Sequence, residues 1–227
     1  MKLSKRLQHI EQMIPAGYSH IWDCCCDHGL LGASLLSHQV APNIHFVDIV
    51  PELMRTVKSK LEKFYVNSAS AWQTHCLDVE KLPLSQYQGK QLVIIAGVGG
   101  DLILQFINEI YHQHAQLELD FILCPVNQQY DVRQRLIALN FSLKNEVLVE
   151  ENRRFYEVMF VSSISDKAHK VSAVGNNIWR STSVEQAQVV KKYLEKTLSH
   201  YTRVQQGNTG NVDDIISAYR SQAAMLS

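Results

Sequence analysis

The feature that most constrains the fold is the turn that joins a short apolar run to a leucine-rich helical pattern near the start of the chain. The run at residues 19–22 ends in the acid Asp23, and the turn at 24–29 leads into the helical pattern at 30–36. A strand that ends in an acid, then a tight turn and a helix, is how a doubly wound sheet presents a ligand at its carboxyl edge. The turn therefore predicts an α/β fold with a ligand site at that edge.

The composition of this turn indicates what kind of ligand it holds. It reads Asp-x-Cys-x-Asp-x-Gly, with one glycine and the carboxylates of Asp23 and Asp27. A dinucleotide site brings backbone amides against a pyrophosphate, and Asp27 would repel that anion. A ligand with a cationic centre and a free amine suits the turn better, and S-adenosylmethionine is such a ligand.

Strand and helix patterns alternate through most of the chain and then change. The predicted strands are 20–24, 43–48, 71–77, 91–96 and 119–124, and the predicted helices are 4–13, 30–38, 51–64, 101–114 and 128–139. This alternation predicts a parallel sheet covered on both faces. Two further strand-like runs, 141–149 and 155–162, leave no room for a crossover helix and predict an antiparallel hairpin. The order is that of a class I methyltransferase (Rossmann-like) fold, since a dinucleotide-binding domain keeps its last strands parallel.

The strand pattern stops near residue 163, which divides the chain into two expected parts. We expect an S-adenosylmethionine-binding methyltransferase domain at 1–163, and a linker with a C-terminal α-helical hairpin at 164–227. The hairpin helices are predicted at 183–206 and 212–226, around a turn at 207–211. An apolar stripe predicts that the hairpin packs on the core or pairs between subunits, so the oligomeric state stays open. The alternative is a substrate-gripping role for its basic residues Lys191, Lys192, Lys196 and Arg203.

Charge and cysteine content narrow the class of protein. Residues 1–163 carry 14 basic against 17 acidic side chains, and residues 164–227 carry 8 against 5. A stand-alone nucleic-acid binder needs clustered cations, so a polyanionic partner is permitted but not required. Three adjacent cysteines and two solitary ones match neither a disulfide framework nor a metal site. We therefore expect a cytoplasmic protein without a metal, and the short apolar runs predict no membrane span.

Four acids lie at successive predicted strand ends. Asp23 would accept from the amine of the methionine moiety or brace the turn, and Asp27 would bind the same amine. Asp48 would receive the ribose hydroxyls, and Asp78 would accept from the adenine amine. Each acid alone is also compatible with a helix cap or a solvated loop end, but the set favours a ligand site.

The next two strand ends carry glycines and an amide. The fourth strand runs into Ala96-Gly97-Val98-Gly99-Gly100, which leaves bare backbone for a ligand, for a substrate phosphate, or simply for a flexible turn. After the fifth strand, Asn127 would either hydrogen-bond the edge of a flat heterocycle or cap the next helix.

These segments fall in one order along the chain. They are Ser4-Lys5-Arg6-Leu7, Pro15-Ala16-Gly17, the turn from Asp23 to His28, Ala96-Gly97-Val98-Gly99-Gly100, Pro125 with Asn127, and Val149-Glu150-Glu151 before Tyr156-Glu157. In this order the chain resembles, over nearly its whole length, the bacterial tRNA (adenine(22)-N(1))-methyltransferase family of class I S-adenosylmethionine-dependent methyltransferases. It departs from the family where Cys25 replaces a glycine, where Val98 replaces a methionine, and where Val126 is inserted. Cysteine at position 25 would be strained if the turn requires a positive φ there.

The resemblance implies methylation of adenine N1 in tRNA, at position 22, with S-adenosyl-L-methionine as cofactor. The residues expected to bind the cofactor are Asp23, Cys25, Asp27, His28, Gly29, Asp48, Ile49, Asp78, Gly97, Val98 and Gly99. Those expected in catalysis are Asp27 and Asn127, and those expected to bind tRNA are Lys5, Arg6, Arg133, Arg135, Arg153 and Arg154. The alternatives are a class I methyltransferase for another RNA site, a protein or a small molecule, a binding module without turnover, and a nicotinamide-dependent oxidoreductase.

Overall fold

Strands and helices alternate as the periodicity predicts. The computed structural model describes residues 3–181, 183–207 and 212–226, so most of the predicted turn at 207–211 lies outside the described residues. The strands are β1 (His20–Cys24), β2 (Asn43–Asp48), β3 (Ala71–Cys76), β4 (Gln91–Ala96), β5 (Leu119–Cys124), β6 (Ser142–Glu151) and β7 (Arg154–Ser162). The helices are α1 (Lys5–Gln12), α2 (Leu30–Ser37), α3 (Pro51–Phe64), α4 (Gly100–Gln113), α5 (Gln129–Ala138), α6 (Val184–Gln206) and α7 (Asp213–Leu226).

The strands form one sheet in the order β3-β2-β1-β4-β5-β7-β6. The first five strands pair in parallel, and β7 pairs antiparallel with both β5 and β6. The predicted class I methyltransferase fold, with its antiparallel hairpin, is therefore confirmed. The strand order reverses between β1 and β4, and ligands of open α/β sheets bind outside the carboxyl ends of the strands at such a point.

The sheet is buried on both faces because alternate side chains of its central strands enter two separate cores. Trp22 and Val93 point into the core covered by α4 and α5. Their neighbours Ile21 and Ile94 point into the core covered by α1, α2 and α3. This double burial explains why the central strands read as nearly continuous apolar runs. Among the described residues, no helix combines the length and the apolar character needed to cross a bilayer.

The C-terminal hairpin shares a third core with the edge of the sheet. Val190 and Leu194 of α6 and Tyr219 of α7 pack with Trp179 of the linker and Leu148 of β6. Ser183 caps α6, because its side chain accepts from the amide of Gln186 at 3.1 Å. The hairpin is thus packed against the sheet within this chain, and the division near residue 163 stays a prediction.

A buried ion network lies between the sheet and the hairpin. Arg133 of α5 is fully buried and donates to Glu146 and to Glu157, each at 2.6 Å. Glu146 also accepts from the backbone amides of the linker, and the Tyr193 hydroxyl of α6 donates to Glu157. The prediction that Arg133 binds RNA is therefore wrong, because its guanidinium is sealed from solvent and neutralised by two carboxylates.

Helix α1 is held against the far end of the β6–β7 hairpin. Ser4 caps it, as its side chain accepts from the amide of Leu7 at 3.4 Å, and the amide of Lys5 donates to Glu151 at 2.6 Å. Because Arg6 follows Lys5, these contacts place Arg6 at the carboxyl edge of the sheet.

Candidate active site

The turn after β1 is built from alternating left-handed backbone positions. Cys25, Asp27 and Gly29 have φ values of 55°, 50° and 68°. The amide of Cys26 donates to the carbonyl of Val47 in β2 at 3.1 Å, which ties the turn to the neighbouring strand. Only Gly29 adopts such a φ without steric cost, so the other two positions carry backbone strain.

Asp23 braces this turn by linking the end of β1 to the helix that follows, α2. Its side chain is buried and accepts from the amide of Gly32 in α2 at 2.9 Å. Burial raises the pKa of Asp23 to about 7, an effect that the Gly32 amide opposes and the nearby Asp48 reinforces. Of the two roles the sequence allows, the structure shows the bracing contact.

Asp48, the last residue of β2, holds the turn after β1 in place. One carboxylate oxygen accepts from the amide of Asp27 at 3.1 Å, and the other accepts from the amide of Val50 at 3.0 Å. Ile49, directly after it, leaves 63% of its surface exposed at the same edge. A buried acid beside an exposed apolar side chain is suited to a ligand with both hydroxyls and a flat ring.

Three of the four predicted acids lie near enough to Cys25 for their charge to act on its thiol. Burial, followed by the carboxylates of Asp48, Asp23 and Asp78, raises the pKa of this thiol to about 12. Asp78 also caps the short 3-10 helix after β3, accepting from the amide of Glu80 at 3.1 Å. The fourth acid, Asp27, is exposed on the rim, with a carboxylate oxygen 3.6 Å from Nε2 of His28.

The strain at Cys25 gives a measurable difference between two variants. We expect Cys25→Gly to be more stable than Cys25→Ala by about 1 kcal/mol, because both lack the thiol but only glycine lacks the Cβ that opposes a positive φ. Urea unfolding measures the difference. The same pair at Cys24, inside β1, should show the opposite order, since glycine weakens a strand. Equal stabilities at position 25 would contradict the strained turn.

The glycine segment after β4 is covered by the loop that follows β5. The amide of Gly100 donates to the side chain of Asn127 at 3.0 Å, and the amide of Asp101 donates to that of Gln128 at 2.9 Å. Asn127 therefore caps α4 rather than the helix that follows it. The inserted Val126 is held by its own amide, which donates to the carbonyl of Val98 at 3.0 Å. The first amides of α4 thus have partners within the chain, which leaves fewer of them for a substrate phosphate.

Arg6 lies over the bare backbone of Gly97. Its guanidinium carbon is 4.8 Å from the ring centre of Tyr156 in β7, and a methyl group added to Gly97 would lie 3.5 Å from one of its terminal nitrogens. Gly97 has φ of 85°, so a side chain there would also be strained. The Nε of Arg6 is buried and has no hydrogen-bond partner among the described residues. Arg6 also forms no ion pair with a carboxylate among the described residues, so this cation at the carboxyl edge is suited to hold an anionic or acceptor-rich substrate.

Comparison with known proteins identifies the family. Residues 3–159 match the model of a methyltransferase domain. The chain belongs to this methyltransferase domain family. A tRNA (adenine(22)-N(1))-methyltransferase of Bacillus subtilis (strain 168) is 30% identical over 161 residues, which cover 70% of this chain and 64% of that relative. The match therefore spans slightly less than two thirds of that relative's length.

Solved structures share the fold of this chain over nearly its full length. M. capricolum TrmK in complex with S-adenosyl-homocysteine has a TM-score of 0.72 at 19% identity, covering 100% of this chain and 95% of that one. Streptococcus pneumoniae Sp1610 in complex with S-adenosyl-L-methionine has a TM-score of 0.71 at 21% identity, covering 97% and 99%. The B. subtilis M1A22 tRNA methyltransferase TrmK has a TM-score of 0.69 at 22% identity, covering 99% and 96%.

The remaining basic residues predicted to bind RNA lie at separate places on the surface. Lys5 and Arg153 line one groove beside α6, and Arg154 lines a second groove. Arg135 donates to Asn108 of α4 at 2.5 Å and is half-buried. Tyr156, to which the sequence assigned no role, shares the edge with Arg6. Its only sequence signal is its place in the Val149-Glu150-Glu151…Tyr156-Glu157 segment.

The described residues contain no cluster of three or more histidine, cysteine or acidic side chains placed to hold a metal ion.

Proposed function

We propose that this chain is an S-adenosylmethionine-dependent methyltransferase that modifies N1 of an adenine in tRNA, at position 22. The observation that carries the proposal is the acid-lined carboxyl edge at the point where strand order reverses, in a chain that belongs to the methyltransferase domain family. The B. subtilis relative named above supports the choice of substrate and position.

The side chains at this edge of the sheet are suited to bind this cofactor. Asp48 would receive the ribose hydroxyls, Asp78 and Ile49 would hold the adenine, and Asp27 with His28 would bind the amino acid end. A pyrophosphate would meet several carboxylates and little positive charge there, whereas a sulfonium and a free amine are cationic. The absence of side chains at Gly97 and Gly99, on either side of Val98, would let the cofactor approach the backbone closely.

The cofactor, when bound, supplies an activated methyl group, so the protein's task is to place the adenine. The oxygen of the Asn127 side chain caps α4, and its NH₂ group, which has no hydrogen-bond partner among the described residues, would hydrogen-bond the edge of the base. Arg6 and the Tyr156 ring would hold the nucleotide beside Gly97. Asp27 would stabilise the positive charge that develops on the methylated ring, or accept a proton from its exocyclic amine.

Cations around the edge suit a tRNA backbone. Lys5, Arg153 and Arg154 are exposed, and the terminal nitrogens of Arg6 lie beside Gly97 at the same edge. The five cysteines are free thiols, which fits the proposed cytoplasmic location.

The test is a methyl-transfer assay with labelled S-adenosylmethionine and unmodified tRNA, followed by nucleoside analysis of the product. We expect one N1-methyladenosine per tRNA, and none in a transcript whose adenine 22 is replaced by guanine. Cofactor binding without any methylated nucleoside would overturn the tRNA assignment. A methylated protein or small molecule in a cell extract would then identify the substrate class.

Replacing Asp48 tests the cofactor site separately. Asp48→Ala is expected to weaken S-adenosylmethionine binding by about 1.5–3 kcal/mol, through lost charged hydrogen bonds to the ribose and a looser turn. Calorimetry measures the affinity. Glu52→Ala removes an exposed carboxylate in the first turn of α3 and is the control, with unchanged affinity expected. If Asp48→Ala binds as tightly as the control, Asp48 is not the ribose acid.

A further inference from the structure

A second concave site lies beside the candidate active site, between the hairpin and the sheet. It is a cleft of about 420 Å³, formed where α6 faces the start of β7 and the loop after β5. Its lining is residues 126–129, 154–156, 196–197, 200–201, Tyr193 and Tyr219. Its volume lies within the range of sites that enclose a small organic group.

Aromatic rings form the floor of this cleft. Phe155 and Tyr201 are half-buried, so part of each ring faces the open space. Tyr201 is stacked on the buried Tyr219, with ring centres 6.0 Å apart at an angle of 23°. Exposed aromatic faces held in place by buried ones are the surfaces on which nucleic-acid bases stack.

Positive charge lies on the rim above these rings. Lys196 and Arg154 are exposed, and Nζ of Lys196 lies 5.5 Å from the ring centre of Phe155. Neither side chain forms an ion pair with a carboxylate among the described residues. Cations beside exposed rings combine phosphate attraction with base stacking, a composition typical of sites for unpaired nucleotides.

The cleft is continuous with the proposed methyl-transfer site. Asn127 and Tyr156 both line the cleft. At the carboxyl edge of the sheet, Asn127 also caps α4, and the ring of Tyr156 contacts the guanidinium of Arg6. A tRNA chain whose adenine lies beside Gly97 would therefore reach the cleft with an adjacent nucleotide. Extrusion of the target base unstacks its neighbours, which makes such a nucleotide available.

The cleft is preformed because its hairpin wall is fixed. Tyr193, at its base, donates to Glu157 of the buried Arg133 network, and the hairpin shares a core with β6. A rigid wall lowers the entropic cost of holding a flexible nucleotide.

We propose that this cleft is a second nucleotide subsite, which binds an unstacked nucleotide next to the methylated adenine through stacking on Phe155 and Tyr201 and through phosphate contacts to Lys196 and Arg154. The inference rests on the proposed function, since it names the part of the substrate that the hairpin holds.

The first experiment measures KM for tRNA and Kd for S-adenosylmethionine in the full-length protein. Tyr201→Ala and Lys196→Ala should each raise KM about tenfold and leave the cofactor Kd unchanged. Tyr201→Phe keeps the ring and should stay within twofold of the wild type. Arg220→Ala removes an exposed hairpin cation outside the cleft and should also stay within twofold. Lys196→Ala should lower the slope of log KM against log salt by about 0.7–0.9, as expected for one lost phosphate contact.

The second experiment locates the nucleotide. Transcripts with a single abasic position on either side of the target adenine are tested with wild type and Tyr201→Ala. For one of them the wild-type KM should rise about tenfold, and Tyr201→Ala should add no further rise, because both changes remove the same stack. Additive effects at both positions, or a Tyr201→Ala variant that matches Arg220→Ala, would overturn the subsite. A wild type that methylates no adenine would instead overturn the proposed function.

Discussion

Arg133→Ala is expected to destabilise the protein by about 3–5 kcal/mol, the largest effect of any single charge removal we predict. Both partners, Glu146 and Glu157, are fully buried, so removing the guanidinium leaves two carboxylates without their counter-charge in a dry interior. The loss also frees the carbonyl of Ser172 and loosens the linker. Because Glu157 accepts from Tyr193, we expect the hairpin to lose protection in hydrogen exchange together with the global stability.

The matched control for this prediction is Arg135→Ala, two residues along the same helix. Arg135 is only half-buried and donates to a neutral side chain, so its removal should cost less than about 1.5 kcal/mol. Urea unfolding of both variants gives the comparison. If Arg133→Ala kept wild-type stability but lost affinity for tRNA, the burial argument would fail and an RNA-binding role would return.

Acid should unfold this protein partly through a row of three histidines on neighbouring strands. His45 of β2 is fully buried, and its two ring nitrogens lie 3.0 Å from ring nitrogens of His20 and His75. It is stacked on Trp22, with ring centres 3.8 Å apart. Burial, with smaller effects from His75 and His20, lowers the pKa of His45 to about 3, so the folded state holds it neutral.

The direction of the pH effect follows from proton binding in the two states. Below the ordinary pKa of 6.5 the unfolded chain protonates His45 and the folded chain does not until about pH 3. Stability is therefore lost as pH falls through this window. At pH 4, about 2.5 units below the unfolded value, the loss from His45 is about 3 kcal/mol at about 1.36 kcal/mol per unit.

The measurement compares the wild type with His45→Phe, which keeps a ring against Trp22 but cannot titrate. The comparison is needed because Asp23 acts in the opposite direction: burial raises its pKa to about 7, so acid favours its folded form. Between pH 7.5 and pH 4 the wild type should lose about 3 kcal/mol more than His45→Phe. Parallel pH profiles would show that His45 is not held neutral.

The bounds of the elements were predictable because their signals are local. The strands β1, β2, β4 and β5 begin and end where their apolar runs do, and α3 begins at its proline. The capping role of Ser4 was also predictable from the sequence, since a helix cap depends on a few neighbouring residues. The antiparallel hairpin followed from the short connection between the two predicted strands alone, because so few residues cannot form a crossover helix.

The candidate site was predictable only as a set of strand ends. Asp23, Asp48 and Asp78 do lie at the carboxyl ends of neighbouring parallel strands, near enough to Cys25 for their charge to act on its thiol. Their contacts were not predictable: Asp23 braces α2, and Asn127 caps α4 instead of α5. Such contacts depend on side-chain directions in loops, which no periodicity in the sequence describes.

The amino-acid sequence by itself determined the sheet, the edge at which the acids meet and the resemblance to a methyltransferase family, because these depend on local periods and on the order of motifs. The tertiary structure alone decided which charges face solvent. Arg133 and Arg135 have the same residue type on one helix, yet only the first is sealed in an ion network, since burial depends on what packs from distant segments. The stack of Arg6, Gly97 and Tyr156, and the cleft beside it, exist only because three segments far apart in the chain meet at one edge of the sheet.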